Sequence, residues 1–289
     1  MAFGIDTLAA LNDPNFNWAN FKQWKGEWPQ FVARYFGGNE DATFGEFAAF
    51  KTTTGGKCHY VVPAQASVVS NQQMTGNAGL SQGATDAATT IKNLNYFIQS
   101  GDLKIPPSNE VYVYLDVEEN TDLSASYWAG WANAIFTATD PSGLAAFWPA
   151  MYSPMTADSS GLYRPHKVVR DALNSACSAA PSSYDVQCYG IWASQPEDVP
   201  ASCVPSAGPD WSVFAKFSQD LCGTEVAVPV LLYQYIEGCF CVADGYTDFA
   251  GLSNSSKFMP CGTTYYPNNN LDLDGSDTTG AETYMLLIG

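Results

Sequence analysis

The chain has 289 residues, of which 46% are hydrophobic and 14% charged, and this composition excludes an intrinsically disordered protein. Its 29 acidic and 12 basic residues give a formal net charge of -17 at pH 7, so a phosphate backbone or an anionic lipid surface would be repelled. No apolar run approaches the ~18 residues needed to span a bilayer. We therefore expect neither nucleic-acid binding nor membrane insertion, and neutral sugars or glycan-rich surfaces remain as partners.

Short strand-like runs alternate with longer helical patterns along the chain, which predicts parallel strands joined by crossover helices. Eight strands are predicted, at residues 3–8, 31–37, 60–66, 111–118, 146–152, 187–193, 228–235 and 270–274. Apolar stripes at helical spacing predict helices at 83–99, 124–137 and 166–173, the second capped by Ser124. The expected fold is a single α/β domain over 1–289, a TIM-like (β/α)-barrel with an irregular last third.

Cysteines are concentrated from Cys177 onward, where long loops rich in Pro, Ser and Gly are expected. Seven of the eight lie in this part of the chain: Cys177, Cys188, Cys203, Cys222, Cys239, Cys241 and Cys261. Their spacing does not match a zinc site, so we expect disulfides that close the loops, and an oxidising compartment. The alternative is eight buried thiols in a cytosolic protein. Because the chain starts without a basic and apolar leader, a secreted protein would have lost its leader or use another export route.

Two carboxylates follow the most regular of the predicted strands. Val111 to Leu115 are strand formers, and they run directly into Asp116 and Glu118. Because strand side chains alternate, these two acids point to the same face, at the strand end where barrel enzymes keep their chemistry. Asp6 ends the first strand in the same way. The sequence therefore predicts a cluster of three acids at the barrel mouth.

Clustered acids at a strand end suit the hydrolysis of a glycosidic bond. One carboxyl must stay protonated to give its proton to the leaving oxygen, and another must stay ionised to stabilise positive charge. Repulsion between neighbours separates their pKa values and supplies both states. The alternative is that these acids only cap helices or solvate loops.

The same segments resemble a known family of barrels. Gly4-Ile5-Asp6 and Leu115-Asp116-Val117-Glu118 are similar to the strand-one Asp and strand-four D-x-E of glycoside hydrolase family 25, the Chalaropsis-type lysozymes. The resemblance is closer to the related glycoside hydrolase-like domains of unknown function. Further matching fragments are Tyr35-Phe36-Gly37-Gly38, Val62-Pro63-Ala64-Gln65, Met151-Tyr152-Ser153, Gly190-Ile191-Trp192-Ala193, Leu232-Tyr233-Gln234-Tyr235 and Leu271-Asp272-Leu273-Asp274.

This resemblance implies roles for individual residues. Glu118 would be the general acid, and Asp116 would stabilise charge or orient an attacking N-acetyl group. Asp6 and Asp272 would complete the ring of acids, with Asp248 as the alternative to Asp272. Contacts to the sugar are implied for Tyr35, Gln65, Tyr152, Trp192, Tyr233 and Tyr235.

The expected activity is cleavage of β-linked amino-sugar glycans such as bacterial peptidoglycan, as by a lysozyme or muramidase. The alternative is an inactive barrel that binds glycan or has a structural role in a secreted or phage-like assembly with protein partners. No P-loop or G-x-G-x-x-G occurs, so no nucleotide cofactor is expected. The acidic segment around Asp272 and Asp274 lacks the spacing of an EF-hand, so no metal is expected.

Overall fold

A computed structural model describes residues 3–7, 10–12, 18, 22, 27–38, 41–118, 121–157, 159, 163–179, 185–194, 217–236, 271–276 and 285–289. The strands are β1 (Phe3–Thr7), β2 (Phe31–Tyr35), β3 (Tyr60–Gln65), β4 (Leu103–Lys104), β5 (Glu110–Asp116), β6 (Ala146–Ala157), β7 (Tyr163–Pro165), β8 (Ile191–Ser194), β9 (Phe217–Leu221), β10 (Thr224–Val228), β11 (Val230–Ile236), β12 (Leu271–Ser276) and β13 (Leu286–Ile288). The helices are α1 (Glu46–Thr53), α2 (Val69–Gln72), α3 (Gly76–Ser100), α4 (Ala125–Phe136) and α5 (Lys167–Ala179).

The principal sheet is curled and mostly parallel. Parallel pairing runs from β1 through β2, β3, β5, β6 and β8 to β11. The connections that contain α1, α3, α4 and α5 are the crossovers that parallel pairing requires. All eight predicted strands are present, and each overlaps its predicted range.

The last strand of the eight departs from the expected barrel. β12 lies between β11 and β1 and is antiparallel to both. Within the described ranges, no helix separates β8 from β11. A complete (β/α)-barrel, with its regular repeat of parallel strand and helix, is therefore not confirmed. The residue pattern of a strand does not show its direction relative to its neighbours, and that is why the sequence did not reveal the reversed strand.

The two faces of the sheet bury different clusters. On β5, Val111, Val113 and Leu115 pack against the helices, whereas Tyr114 packs on the inner face. The inner cluster consists of Phe31, Ala33, Val62, Ala64, Tyr114, Ala150, Trp192, Leu232 and Met285. These side chains fill the space that the sheet encloses, as in other barrel-like sheets. Polar groups on the inner face are consequently found near the carboxyl ends of the strands.

Glycines allow α3 and α4 to pack closely. A Cβ on Gly83 would lie 2.2 Å from the carbonyl oxygen of Tyr127, and one on Gly130 would lie 2.0 Å from that of Leu80. α3 also starts at Gly76, seven residues before the predicted start, because its first turns are small and polar rather than apolar. Ser124 caps α4 as predicted, since its side chain accepts a hydrogen bond from the Tyr127 N–H.

One disulfide joins α5 to the β9–β10 hairpin. Cys177 and Cys222 are bonded with their Cα atoms 5.4 Å apart, as expected for the cysteines from Cys177 onward. Cys188 is an exception, because it is free and buried, and burial raises the pKa of its thiol to about 12. Four other cysteines of the predicted set lie outside the described residues: Cys203, Cys239, Cys241 and Cys261. Among the described residues, no helix is long and apolar enough to cross a membrane.

Candidate functional site

Polar side chains meet where the parallel strands end. Asp6 lies on β1, Tyr35 is the last residue of β2, and Asp116 is the last residue of β5. Asp116 pairs in register with Tyr152 of β6, which pairs in turn with Trp192 of β8. Carboxyl ends of parallel strands share one edge of a sheet, so these residues are brought to the same end of the molecule.

Asp116 is buried beside a second carboxyl group. It is only 5% exposed, whereas Glu118, two residues on, is exposed. Its Oδ2 accepts a hydrogen bond from the Ser67 N–H at 3.3 Å, and its Oδ1 accepts from no N–H or hydroxyl group of the described residues. The carboxyl group of Asp116 also forms a hydrogen bond with that of Glu118. Burial raises the pKa of Asp116 well above its ordinary value, and the charge of Glu118 raises it further. The pair therefore tends to keep a proton between its two carboxyl groups.

The pKa shifts of two tyrosines indicate that the predicted acids lie close together. Burial raises the pKa of Tyr35, and Asp116, Asp6 and Glu118 all add to the shift. Burial also raises the pKa of Tyr152, and the same three acids contribute. Each tyrosine therefore lies within the electrostatic reach of Asp6, Asp116 and Glu118 together. The structure brings these three acids to one site with the two predicted aromatic residues.

A short hydrogen-bonded chain crosses this site. The Tyr152 hydroxyl donates to Gln234 Oε1 at 2.6 Å, and Gln234 Nε2 donates to Asp6 Oδ2 at 3.4 Å. Ser194 also forms a hydrogen bond with Tyr152. Asp6 is 6% exposed and Gln234 is 2% exposed. The uncharged amide of Gln234 thus connects Asp6 on β1 to Tyr152 on β6.

Trp192 forms the floor of the site instead of an open face. It is 1% exposed, and its ring meets Tyr114 at 5.8 Å and Tyr152 at 4.9 Å between centroids, both edge-on. A sugar cannot stack on a ring that is already covered. The expected direct contact of Trp192 with substrate is therefore replaced by a supporting contact with Tyr152.

Gln65 is not brought to the acids. Its Oε1 accepts from the indole N–H of Trp131 at 2.6 Å and from the Thr90 hydroxyl at 3.0 Å, and its Nε2 donates to the Tyr127 hydroxyl at 3.1 Å. These partners belong to α3 and α4, on the outer face of the sheet. Strand alternation explains the difference, because the neighbouring Ala64 occupies the inner face. The predicted sugar contact at Gln65 is a structural hydrogen-bond centre.

Three further predicted residues are placed by their backbones alone. Asp272 of β12 stands opposite Asp6 in the antiparallel register, and Tyr233 and Tyr235 lie on β11. Their side chains fall outside the described part of the structure, and Asp248 lies outside the described residues entirely.

Sequence reasoning missed Gln234 and Ser194. Both follow a buried inner-face residue by two positions, Leu232 and Trp192 respectively, so strand periodicity could have found them. The aromatic residues on either side of Gln234 drew the prediction to Tyr233 and Tyr235. Within the described residues, no group of three or more His, Cys, Asp or Glu side chains could hold a metal ion.

The fold resembles those of solved proteins, although no protein-family model and no curated protein sequence shows significant similarity to the chain. A crystal structure of an uncharacterized B. stearothermophilus protein matches 99% of this chain and 100% of its own, with a TM-score of 0.52 and 15% identity. The spore cortex lytic enzyme SleM of Clostridium perfringens matches 96% of this chain and 67% of its own, with a TM-score of 0.45 and 13% identity. The first similarity shows a common fold. Neither one assigns an activity to the acidic site.

Proposed function

We propose that the chain is a glycoside hydrolase-like protein and that Glu118 is its proton donor. The observation that carries the proposal is the burial of Asp116 beside Glu118, at a strand end that also gathers Asp6 and two tyrosines. Glycosidic bond cleavage needs one protonated and one ionised carboxyl group. Burial of Asp116 and its repulsion with Glu118 favour one shared proton over two charges in this pair. We propose that, when the sugar is bound, this proton lies on the exposed Glu118 and Asp116 carries the charge.

The proposed reaction assigns one step to each acid. Glu118, which is exposed, gives its proton to the glycosidic oxygen as the bond to the anomeric carbon breaks. Asp116 stabilises the positive charge that develops on the sugar, or orients a neighbouring N-acetyl group that attacks the anomeric carbon. Water then adds to that carbon and returns a proton to Glu118. Asp6 and Asp272 complete the acidic surroundings.

The substrate that best suits this site is a β-linked amino-sugar polymer, with bacterial peptidoglycan as the natural candidate. The exposed carboxyl group of Glu118 and the hydroxyls of the half-buried Tyr35 and Tyr152 can form hydrogen bonds with sugar hydroxyls and with N-acetyl groups. We further propose that residues 1–289 form one domain, completed as a glycoside hydrolase-like barrel. The bond between Cys177 and Cys222 supports an extracellular location.

A second candidate is a glycan-binding or structural module without turnover. The observation that favours it is the covering of the site, since Asp6 is 6% exposed, Asp116 5% and Trp192 1%. In that case Glu118, Tyr35 and Tyr152 would contact a glycan that is bound but not cleaved. This candidate makes the same prediction for binding as the first and a different one for hydrolysis.

The deciding experiment measures loss of turbidity of a bacterial cell-wall suspension, together with the release of reducing ends. We expect wild-type protein to produce both. Glu118→Gln keeps the shape of the side chain and removes the transferable proton, so the rate should fall by about 10²- to 10⁴-fold. Sedimentation with the same cell walls should show that binding persists.

Glu110→Gln is the matched control, because Glu110 begins β5 at the end of the strand opposite the acids. It should leave the rate unchanged. Binding by wild-type protein without any hydrolysis, unaffected by Glu118→Gln, would contradict the enzymatic proposal and favour the binding module.

A further inference from the structure

The Asp116–Val117 peptide, which precedes Glu118, forms hydrogen bonds on both of its sides. On one side the Val117 N–H donates to the carbonyl oxygen of Tyr152 at 3.1 Å, which continues the pairing of β5 with β6. On the other side the pairing of β5 with β3 ends at Gln65 and Leu115. The Asp116 carbonyl, one residue further, therefore has no strand partner on that side.

Gln72 fills this place with its side chain. Its Nε2 donates to the carbonyl oxygen of Asp116 at 2.8 Å, and the residue is 0% exposed. It is the last residue of α2, the short helix that follows β3. A side-chain amide thus replaces the backbone donor that a longer β3 would have supplied. A buried carbonyl needs such a donor, because burial without one is costly.

The same residue holds the other end of the loop that carries Glu118. The backbone carbonyl of Gln72 accepts from the Ser124 N–H at 2.9 Å, and Ser124 caps α4. Within the loop, the Thr121 N–H donates to the Glu118 carbonyl at 2.9 Å. Gln72 therefore connects the two ends of the segment between β5 and α4.

We propose that Gln72 is a positioning residue that fixes Glu118 against Asp116 by holding both ends of the loop between them and α4. The inference rests on the proposed function for its consequence in catalysis, but the geometric claim can be tested without any substrate. Gln72 does not reach the reacting atoms itself. Its effect is transmitted through the Asp116–Val117 peptide.

The test uses Gln72→Met, which keeps the length of the side chain and removes the amide. Titration of the carboxyl carbons by ¹³C NMR, on full-length protein labelled at Asp and Glu, should show the pKa of Asp116 falling toward its ordinary value. The reason is that a released loop lets Glu118 move away and water reach Asp116. With cell walls as substrate, kcat should fall on the order of 10- to 100-fold while KM changes little, since misplacement of a catalytic group lowers the rate more than the affinity.

Gln219→Met is the matched control. Gln219 is also 0% exposed, and its Nε2 donates to the carbonyls of Leu173 and Val186, away from the acids. It should leave the titration of Asp116 as in the wild type. Should Gln72→Met fold poorly, Gln72→Asn provides a milder change that retains an amide too short to span the same distance, and the pKa of Asp116 should again fall.

Unchanged titration of Asp116 in a folded Gln72 variant would overturn the proposal. If wild-type protein hydrolyses no glycan, the proposed function fails, yet a lowered pKa of Asp116 in Gln72→Met still supports the positioning role. The two failures are therefore distinguishable.

Discussion

Two polar clusters lie on opposite faces of the sheet, and their carboxylates are hydrogen-bonded to different degrees. On the outer face, the partly exposed carboxylate of Asp86 on α3 accepts from Gln82 at 2.8 Å, from Asn71 at 3.0 Å and from the Tyr127 hydroxyl at 2.8 Å. On the inner face, the carboxylate of Asp116 accepts one backbone N–H at 3.3 Å and lies beside another acid. The carboxylate of Asp86 has three donors, whereas the carboxyl group of Asp116 has one N–H donor and otherwise shares a proton with Glu118.

The difference separates a structural role from a functional one. A fully hydrogen-bonded buried network stabilises the fold and specifies how its elements pack, whereas an incompletely satisfied one costs stability. Proteins tolerate such a cost mainly at sites of function. The outer cluster, which centres on Gln65 and joins β3 to α3 and α4, is expected to respond to mutation through stability. The inner cluster is expected to respond through activity and pH.

Among the substitutions that compare the two clusters, the largest effect should come from removing the carboxylate of the buried acid. Asp116→Asn keeps the shape of the side chain and removes the carboxylate that stabilises positive charge on the sugar. By comparison with other groups that stabilise a transition state electrostatically, hydrolysis of cell walls should slow by about 10²- to 10³-fold. The release of reducing ends under saturating substrate measures this change.

Asp86→Asn makes the same substitution in the outer cluster and serves as its control. It should leave the rate per folded molecule unchanged. Equal losses of rate from the two substitutions would show that the proposed separation between the clusters is wrong.

The second effect concerns the stability of the outer cluster. Gln65→Met is similar in volume but removes the acceptor of Trp131 and Thr90 and the donor to Tyr127. Thr90 and Tyr127 keep hydrogen bonds to the carbonyl and the carboxylate of Asp86, whereas the indole N–H of Trp131 is left unsatisfied. An unsatisfied buried group costs about 1–3 kcal/mol and each lost hydrogen bond about 1 kcal/mol, so we expect a total loss near 3 kcal/mol. Urea denaturation monitored by tryptophan fluorescence measures it.

Gln82→Met removes one hydrogen bond from a partly exposed residue of the same network, and should cost about 1 kcal/mol or less. If Gln65→Met costs no more than Gln82→Met, then Gln65 is not the centre of the outer cluster.

The positions of the acids could be predicted from the sequence because they depend only on the two-residue alternation of side chains along a strand. A strand that is apolar for five residues and then ends in Asp116 and Glu118 fixes both which face the acids share and which end of the strand they occupy. The same reasoning placed Asp6 on β1. These inferences need only local backbone geometry.

Gln65 was predicted on the wrong face of the sheet because the sequence of β3 does not distinguish its inner face from its outer face. Both faces of β3 are buried, so no alternation of polar and apolar residues distinguishes them. The helix α1 was missed for a related reason. Its Glu46 pairs with the buried Arg34 at 2.7 Å, a contact between residues 12 apart in the chain that no helical stripe predicts. Long-range contacts of this kind, like the reversed direction of β12, are decided by packing and not by local pattern.

The smallest effect, a gain in stability, is also the one that most sharply distinguishes the two clusters. Burial, and then the charge of Glu118, raise the pKa of Asp116 in the folded protein above that of the unfolded chain, which is about 3.9 for a model Asp. The folded state consequently binds more protons, so its stability falls as pH rises from about 4 through the raised pKa. Asp116→Asn has no such proton to lose. It should therefore match the wild type near pH 3 and exceed it above the folded pKa, by a margin on the order of 0.5–2 kcal/mol, as is common for stabilising substitutions.

Asp140 is the control, because its pKa is shifted in the opposite direction to that of Asp116. Burial alone would raise its pKa, but hydrogen bonds from the Ser142 side chain and from the N–H groups of Ala145, Ser142 and Leu144 outweigh burial and lower it. Its contribution to stability is thus present above the unfolded pKa and is lost as pH falls through the lower, folded one. Asp140→Asn should destabilise the protein at pH 7 and less so in acid, where Asp116→Asn has no effect. Urea denaturation of the three proteins from pH 3 to pH 9 measures both slopes, and a loss of stability in Asp116→Asn at pH 8 would mean that the inner acid is satisfied after all.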